Sequence, residues 1–392
     1  MSSTPPRVVI VAGMHRAGTS AVARSLAALG FDLGPRLMSA DIRMNARGFF
    51  EDIDIVARND ALLALQGADW KSVALLDRVD WRVERFEQTR ADARALLVSR
   101  LTAQATFAWK DPRVPRLLPF WQEILASEGV GEGYVIAVRH PRAVIASLTA
   151  RDALDPRRSA WLWLTHLACA LAYTQDRPRV IVDYDRLLAQ PDHELARIAR
   201  AFGVADADAT NLREFRDGFL SADLRHAHFA PGDVAADEWP PLVAEAHALA
   251  QRLARDDIEI GSLQARDAIA ALWAGVRAFA PLLDYTGSVE ASADQVARLE
   301  GELAWAREAL AAASRYNQDL VATIAQKDND YAAERDAAQA AIATATTYST
   351  SLREALTHVE TELATTRRAV SRVASTRAGR ALLRWLGRGR VN

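Results

Sequence analysis

The stretch GMHRAGTS, residues 13 to 20, decides the fold because it follows the apolar run 8–12 and precedes the helical pattern AVARSLAALG. A strand, a glycine-containing turn and a helix start in this order build a loop whose backbone N–H groups bind phosphate. The usual phosphate-binding loop has a lysine directly after its second glycine. Here Thr19 and Ser20 follow Gly18, and the cation, Arg16, lies inside the loop instead. The residues of this predicted site are Gly13, His15, Arg16, Ala17, Gly18, Thr19 and Ser20.

The composition is that of an ordinary soluble protein, with 392 residues, 50% of them hydrophobic, and a net charge of −2. This balance of charge gives no reason to expect nucleic-acid binding. The single cysteine, Cys169, excludes an internal disulfide framework and fits a reducing compartment. The N-terminal apolar run is too short for a signal peptide, and no stretch has the ~18 apolar residues of a membrane span. We therefore expect a cytoplasmic protein.

Apolar runs in the first 235 residues predict strands at 8–12, 106–109, 134–139 and 180–183. Each run is followed by turn residues and then by a helical pattern, which indicates βαβ units and a parallel sheet flanked by helices. Ligands of such sheets bind at the carboxyl ends of the strands. The segments GMHRAGTS, KDPR and RHPRAVIAS all fall at those ends. We therefore expect an α/β domain over 1–235 with its site at that edge.

The rest of the chain is predicted to be mostly helical, with an amphipathic helical extension at 236–285 and a linker at 286–295. Apolar residues recur every seven positions over 296–373, which predicts a long helical coiled coil of roughly 115 Å if it is wholly helical. Asn317 occupies a core position of that repeat. A solvated helix without a partner is the alternative. Residues 374–392 are predicted to be a basic amphipathic tail, because no acidic residue follows Glu362 and arginines are interleaved with Leu and Trp; a disordered basic tail without a partner is the alternative.

A second motif bears on the ligand. Arg139 ends a predicted strand, and Ser147 lies eight residues later, about two helical turns on. The two side chains can converge on another phosphate, remote from the first. Two phosphate sites on one nucleotide indicate phosphates at both the 5′ and the 3′ position. A kinase is disfavoured because the loop lacks the usual lysine, although VIVDYD (180–185) offers an aspartate for that alternative.

With these motifs, residues 7–230 resemble the sulfotransferases that use 3′-phosphoadenosine 5′-phosphosulfate (PAPS). In that family the 5′-phosphosulfate loop is similar to GMHRAGTS, and the 3′-phosphate element is Arg-x-Pro with a serine eight residues after the arginine, as at Arg139 and Ser147. His140 stands where many members have asparagine. GFFED (48–52) and VIVDYDRLLAQP (180–191) also resemble stretches of bacterial members. The resemblance implies a P-loop-like sulfotransferase core with PAPS as co-substrate and no metal.

The segment WKDPR (109–113) is similar to the K-D-P element of the tyrosylprotein branch, whose lysine faces the sulfuryl group, which implies that role for Lys110. Composition supports this lysine independently, since only three of the 48 basic residues are lysines. We expect Asp111 to orient the turn and Arg113 to read an anionic acceptor.

The residue that accepts the proton has two candidates. Glu51 resembles the glutamate base of other branches, and a carboxylate beside Arg16 and Lys110 is ionised at neutral pH. His15, inside the loop, is the competing base. The pair Glu51 and Asp52 alternatively caps a helix.

The expected function is transfer of a sulfuryl group from PAPS to an acceptor hydroxyl, with Glu51 accepting the proton and Lys110 and Arg16 stabilising charge. The motifs resemble those of bacterial members that act on surface glycans or lipid-linked saccharides. The coiled coil predicts a homo-oligomer, most simply a parallel dimer, and the tail predicts peripheral contact with the anionic inner face of the cell membrane. The alternatives are a P-loop nucleotide kinase, transfer to a protein tyrosine, and a non-catalytic domain that anchors the coiled coil.

Overall fold

The computed structural model describes residues 7–40, 48–103, 106–220, 239–327 and 332–377. Contacts divide the chain into two compact units, Met1–Gly287 and Ser288–Asn392. The strands are β1 (Val8–Ala12), β2 (Phe107–Lys110), β3 (Glu132–Val138) and β4 (Arg179–Asp183). The helices are α1 (Thr19–Ala28), α2 (Ile53–Ala64), α3 (Glu87–Ala103), α4 (Val114–Ser127), α5 (Pro141–Asp152), α6 (Pro156–Tyr173), α7 (Tyr184–Ala189), α8 (Pro191–Phe202), α9 (Ala209–Arg213), α10 (Leu242–Ala254), α11 (Leu263–Arg277), α12 (Ala280–Lys327) and α13 (Ala332–Ser375).

The four strands form one parallel sheet in the order β2-β1-β3-β4. The expected α/β class with a parallel sheet is confirmed. The first strand has the predicted bounds, and the other three begin or end one or two residues from their predicted positions. Central β1 is pure Val, Ile and Ala, and all five of its residues are buried, as expected for a parallel strand with helices on both faces.

The core lies on both faces of this sheet. One face packs the valines of β1, β3 and β4 against the apolar stripes of α1 and α8, including Leu26 and Ile198. The alternate strand residues, such as Ile10 and Ile136, are also fully buried. The two faces are therefore both covered, and only the ends of the strands remain for ligands.

Helices α10 and α11 belong to the same compact unit as the sheet, because α10 packs on β4 and α6, and α11 packs on α6. The division between the two units falls between Gly287 and Ser288, inside the predicted linker 286–295. The segment itself is helical, because it lies within α12. A single glycine in a helix costs only about 1 kcal/mol, so Gly287 is tolerated inside α12.

The C-terminal unit is an antiparallel pair of long helices within one chain. Leu299 and Leu303 of α12 pack against Leu363 of α13. Ion pairs join Glu300 to Arg367 and Arg307 to Glu360. A higher residue number on α12 thus pairs with a lower one on α13, as in antiparallel helices. Residues 296–373 are therefore helical in two segments that pair with each other, and the length of roughly 115 Å for a wholly helical segment does not apply. The seam is buried against α13 at Leu299 and Leu303, and burial of that part does not require a second chain.

Asn317, predicted at a core position, donates from Nδ2 to Thr346 Oγ1 across this pair at 3.4 Å. Of the predicted basic tail 374–392, residues 378–392 lie outside the described residues. Within the described ranges no helix has both the length and the apolarity needed to span a membrane.

Candidate functional site

The loop after β1 is shaped by two glycines, of which Gly13 lies against β3 and Gly18 against the first residue of α7. A Cβ on Gly13 would lie 2.7 Å from the carbonyl oxygen of Ala137, and one on Gly18 would lie 2.7 Å from Cγ of Tyr184. Gly18 also has a left-handed φ of 86° and caps α1 without a side chain. The first N–H groups of α1, from Thr19 onward, therefore face no capping side chain, and this leaves them available to an anion.

Arg16, the cation inside the loop, has a left-handed φ of 69°, and its Nε donates to Ser147 Oγ at 2.7 Å. From the end of β3, Arg139 Nη1 donates to the carbonyl oxygen of Arg16 at 3.3 Å. The structure thus brings Arg139 and Ser147 together with the loop. Arg16 is therefore shared by the loop and by the predicted element of Arg139 and Ser147.

Arg139 itself is buried, and the side chains of Tyr184 and Trp163 contact it. Its guanidinium lies 4.8 Å from the centroid of the Tyr184 ring, and its carbonyl accepts a hydrogen bond from Trp163 Nε1 at 3.1 Å. Its Nε is buried and has no hydrogen-bond partner among the described residues. A charged donor left in this state is costly unless a ligand completes it. Arg139 therefore fits an anionic group that is bound at this edge of the sheet.

The region around Arg16 is strongly positive. Burial lowers the pKa of the Arg16 guanidinium, and the positive charges of Arg151 and Arg139 lower that pKa further. Cations depress one another in this way only where they are crowded together. Such crowding is typical of a site whose ligand is an anion.

Lys110, the last residue of β2, supplies the ammonium that the loop lacks. Its Nζ donates to Glu51 Oε1 at 2.5 Å and to the carbonyl oxygen of Phe49 at 3.0 Å, and it lies 3.4 Å from Ser20 Oγ. Lys110 and Glu51 are only 3% and 4% exposed. A lysine from the neighbouring strand therefore reaches the first turn of α1.

Glu51 and Asp52 have separate roles. Asp52 is the N-cap of α2, accepting from the N–H of Asp54 at 2.9 Å, and it pairs with Arg100 at 2.7 Å. Glu51 makes no such cap. Burial raises the pKa of the Glu51 carboxyl and the charge of Asp111 raises it further, while the ammonium of Lys110 opposes both effects.

Asp111 is fully buried and orients the turn after β2, as expected, by accepting from the N–H of Arg113 at 2.9 Å and from Asn59 Nδ2 at 2.8 Å. Arg113 was expected to read an anionic acceptor. Its guanidinium instead pairs with Asp60 at 2.5 Å and Asp111 at 2.9 Å and lies 3.9 Å from Glu51. Three carboxylates already balance this charge, which leaves Arg113 poorly suited to bind another anion.

His15 lies between several cations. Burial lowers the pKa of its imidazole well below the ordinary value, with further lowering by Arg113, Arg151 and Lys110. Its Nε2 is buried without a hydrogen-bond partner among the described residues, and its ring lies 4.5 Å from that of Trp70. His15 is therefore a neutral side chain at physiological pH.

The remaining predicted residues, Ala17 and Thr19, are buried in the loop and at the start of α1. The sequence reasoning missed Tyr184, which packs under both Gly18 and Arg139, and Trp70, which packs on His15. The only available signal for Tyr184 was its position directly after β4. Across the described ranges, no group of three or more His, Cys, Asp or Glu side chains is arranged to hold a metal ion.

No protein-family model and no curated protein matches the chain. Among solved structures, the chain is similar to the sulfotransferase domain from the Synechococcus PCC 7002 olefin synthase. The two are 18% identical, with 71% of this chain and 97% of that chain covered and a TM-score of 0.34. At this level of similarity the functional argument rests on the residues of the site itself.

Proposed function

We propose that the chain transfers a sulfuryl group from PAPS to an acceptor hydroxyl. The observation that carries this proposal is the meeting of two anion-binding elements at Arg16, with the glycine loop on one side and Arg139 with Ser147 on the other. One element suits the 5′-phosphosulfate and the other the 3′-phosphate. The unpartnered Nε of Arg139 and the cation crowding around Arg16 both support an anionic ligand there.

In this proposal Glu51 accepts the proton of the acceptor hydroxyl, whose oxygen bonds to sulfur as the bond from sulfur to the bridging oxygen breaks. Lys110 and Arg16 stabilise the negative charge that develops on the departing adenosine 3′,5′-bisphosphate. The 2.5 Å contact of Lys110 with Glu51 and its approach to Ser20 support a position between base and loop. We propose that these two side chains, rather than a metal ion, supply the positive charge.

The choice of Glu51 over His15 as base rests on their pKa shifts. A general base works best when its pKa is near the working pH. Burial raises the pKa of Glu51 towards that range and lowers the pKa of His15 away from it. Glu51 is therefore the proposed base, and His15 is a neutral neighbour.

The kinase alternative is not favoured by the site. The aspartate that it would use, Asp183, is the N-cap of α7 and accepts from the N–H of Arg186 at 2.9 Å and from Gln251 Nε2 at 2.5 Å. Hydrogen bonds within the fold thus occupy both of its carboxylate oxygens. For the acceptor, we propose a saccharide or a lipid-linked saccharide.

The test is a pair of binding titrations, with adenosine 3′,5′-bisphosphate and with adenosine 5′-monophosphate, on wild type and on Arg139→Gln. The substitution should weaken bisphosphate binding by about 1.5–3 kcal/mol, the range for a hydrogen bond to a charged group, and hardly affect the monophosphate. Arg24→Gln is the matched control, since Arg24 lies on α1 and pairs with Glu214. Equal losses for both nucleotides would refute the assignment of Arg139.

A further inference from the structure

A buried arginine fixes the segment 69–74, which the proposed chemistry does not use. Arg116 is fully buried, and its guanidinium donates to the carbonyl oxygens of Ser72 at 2.6 Å, Ala74 at 3.1 Å and Asp69 at 3.2 Å. Burying a guanidinium without a carboxylate partner is costly. A second arginine, Arg158, donates from Nε to the carbonyl oxygen of Lys71 at 2.9 Å. Two cations thus hold one short backbone segment in a defined position.

That segment presents Trp70 and Lys71 beside the loop. The Trp70 ring packs on His15 at 4.5 Å, and its centroid lies 5.5 Å from Lys71 Nζ and 5.7 Å from the guanidinium carbon of Arg151. Cations near an indole face are attracted by its negative potential. The ring therefore keeps two positive side chains next to His15.

The positive charge of Lys71 is not neutralised locally. Its ammonium has no carboxylate partner among the described residues, whereas Arg151 pairs with Asp152 at 2.7 Å. The neighbouring carboxylate of Asp69 accepts the N–H groups of Lys71 at 2.7 Å and Ser72 at 3.0 Å, which holds it in a turn. Lys71 is also one of three lysines in the whole chain.

We propose that Trp70 and Lys71 form an acceptor subsite that selects acceptors with a negative charge of their own. This inference rests on the proposed sulfuryl transfer, because it assigns the segment to the second substrate of that reaction. The indole supplies a flat apolar surface for a ring, and the ammonium of Lys71 binds an anionic substituent on that ring. The chemical class is a cyclic acceptor that carries a carboxylate or a phosphate.

The probes are p-nitrophenyl β-glucuronide and p-nitrophenyl β-glucoside, which differ only at C6, where the first has a carboxylate and the second a hydroxymethyl group. Each is titrated into the full chain saturated with adenosine 3′,5′-bisphosphate. The glucuronide should bind about tenfold more tightly, the factor expected for one charge-assisted hydrogen bond. Lys71→Met should abolish this preference, and Lys71→Arg should retain most of it.

The control is Arg78→Met, which removes a positive charge from the same loop. The charge of Arg78 acts on a different group, since it lowers the pKa of Asp284. It should leave the preference unchanged. Equal affinity for the two glycosides, no binding of the glucuronide, or a preference that survives Lys71→Met would overturn the proposal. If adenosine 3′,5′-bisphosphate itself does not bind, the sulfuryl-transfer proposal fails instead, and the preference for the glucuronide is then measured on the protein alone.

Discussion

At the scale of single residues, the site depends on side chains that come from distant parts of the chain. Lys110 ends β2, Glu51 precedes α2 and Ser20 lies in the first turn of α1, yet one ammonium contacts all three segments. Both members of the Lys110–Glu51 pair are buried, so removing either charge leaves the other uncompensated. Substitutions here therefore change the charge of the site as well as its chemistry.

Replacing Glu51 by glutamine should lower turnover by roughly 10²- to 10⁴-fold, because the amide cannot accept the proton. Affinity for adenosine 3′,5′-bisphosphate should not fall, since the substitution removes a negative charge beside Lys110 and leaves Arg139 and Ser147 in place. Steady-state kinetics and nucleotide titration measure the two effects separately. Full activity of Glu51→Gln together with loss of activity in His15→Gln would assign the base to His15.

The same residue predicts a pH dependence. Glu51 must be ionised to act, and burial raises its pKa, so turnover should rise with pH through a limb that lies above the ordinary glutamate range. In wild type this limb should be visible in the pH profile of turnover. The residual activity of Glu51→Gln should lack it. An identical limb in both proteins would show that another group titrates.

At the scale of elements, the glycines at the two ends of α1 meet different requirements: one needs a left-handed backbone only, and the other also needs the absence of a side chain. Gly18 and Gly30, at the two ends of α1, have similar left-handed φ values of 86° and 94°. A Cβ on Gly18 would collide with the Tyr184 ring, whereas a Cβ on Gly30 would meet nothing within 4 Å. The pair thus distinguishes backbone strain from steric exclusion.

Gly30→Ala should lower the free energy of unfolding by about 1 kcal/mol, the usual cost of a left-handed conformation for a residue with a side chain. Gly18→Ala should cost more and should also reduce nucleotide affinity, because Tyr184 and the Arg139 above it must move. Chemical denaturation and nucleotide titration of both variants provide the comparison. Equal stability losses with unchanged affinity would show that the loop tolerates the displacement.

Elements also show what the sequence could predict. The strands, their parallel arrangement and the positions of Lys110, Arg139 and Ser147 at strand ends or on the next helix follow from apolar runs and turn residues. The left-handed φ of Arg16 is not encoded by its residue type, and neither is the contact of its side chain with Ser147 on α5. The contact between Trp70 and His15 depends on how an irregular segment is pinned by Arg116. Local patterns do not carry that information.

At the scale of the whole molecule, buried neutral histidines should make the fold sensitive to acid. Burial, with the neighbouring His140, lowers the pKa of His247 from 6.5 to about 4. Burial also lowers the pKa of His15 and of His166. Below pH 6.5 these histidines bind protons in the unfolded chain but remain unprotonated in the folded protein. Stability that is fully present above that pH is therefore lost as the pH falls towards 4.

Each such histidine contributes a slope of up to about 1.4 kcal/mol per pH unit. Urea unfolding at several pH values from about 7.5 down to about 5 should show a free energy of unfolding that falls with the pH. His247→Gln should flatten the slope, and the exposed His358→Gln should leave it unchanged. A slope that is the same in all three proteins would show that other groups dominate.

The C-terminal unit has a proposed role in association. The antiparallel pair exposes the aromatic side chains Trp305, Tyr316 and Tyr348, and we propose that two copies of the chain associate. We also propose that the basic tail binds anionic membrane. Sedimentation of the full chain with anionic vesicles should decline as salt rises, because screening acts over about 8 Å at physiological ionic strength. A full-length monomer in light scattering would contradict the association, and vesicle binding indifferent to salt would contradict the role of the tail.

The scarcity of lysine has a consequence for handling the protein. Only three lysines occur, and Lys110 is 3% exposed and held by Glu51. Reagents that acylate primary amines therefore meet only Lys71 and Lys327 as competing side chains, and the rate at which they reach Lys110 measures how often the Glu51 contact opens. The chain carries its own chemical reporter for opening of the proposed site, with no label to introduce.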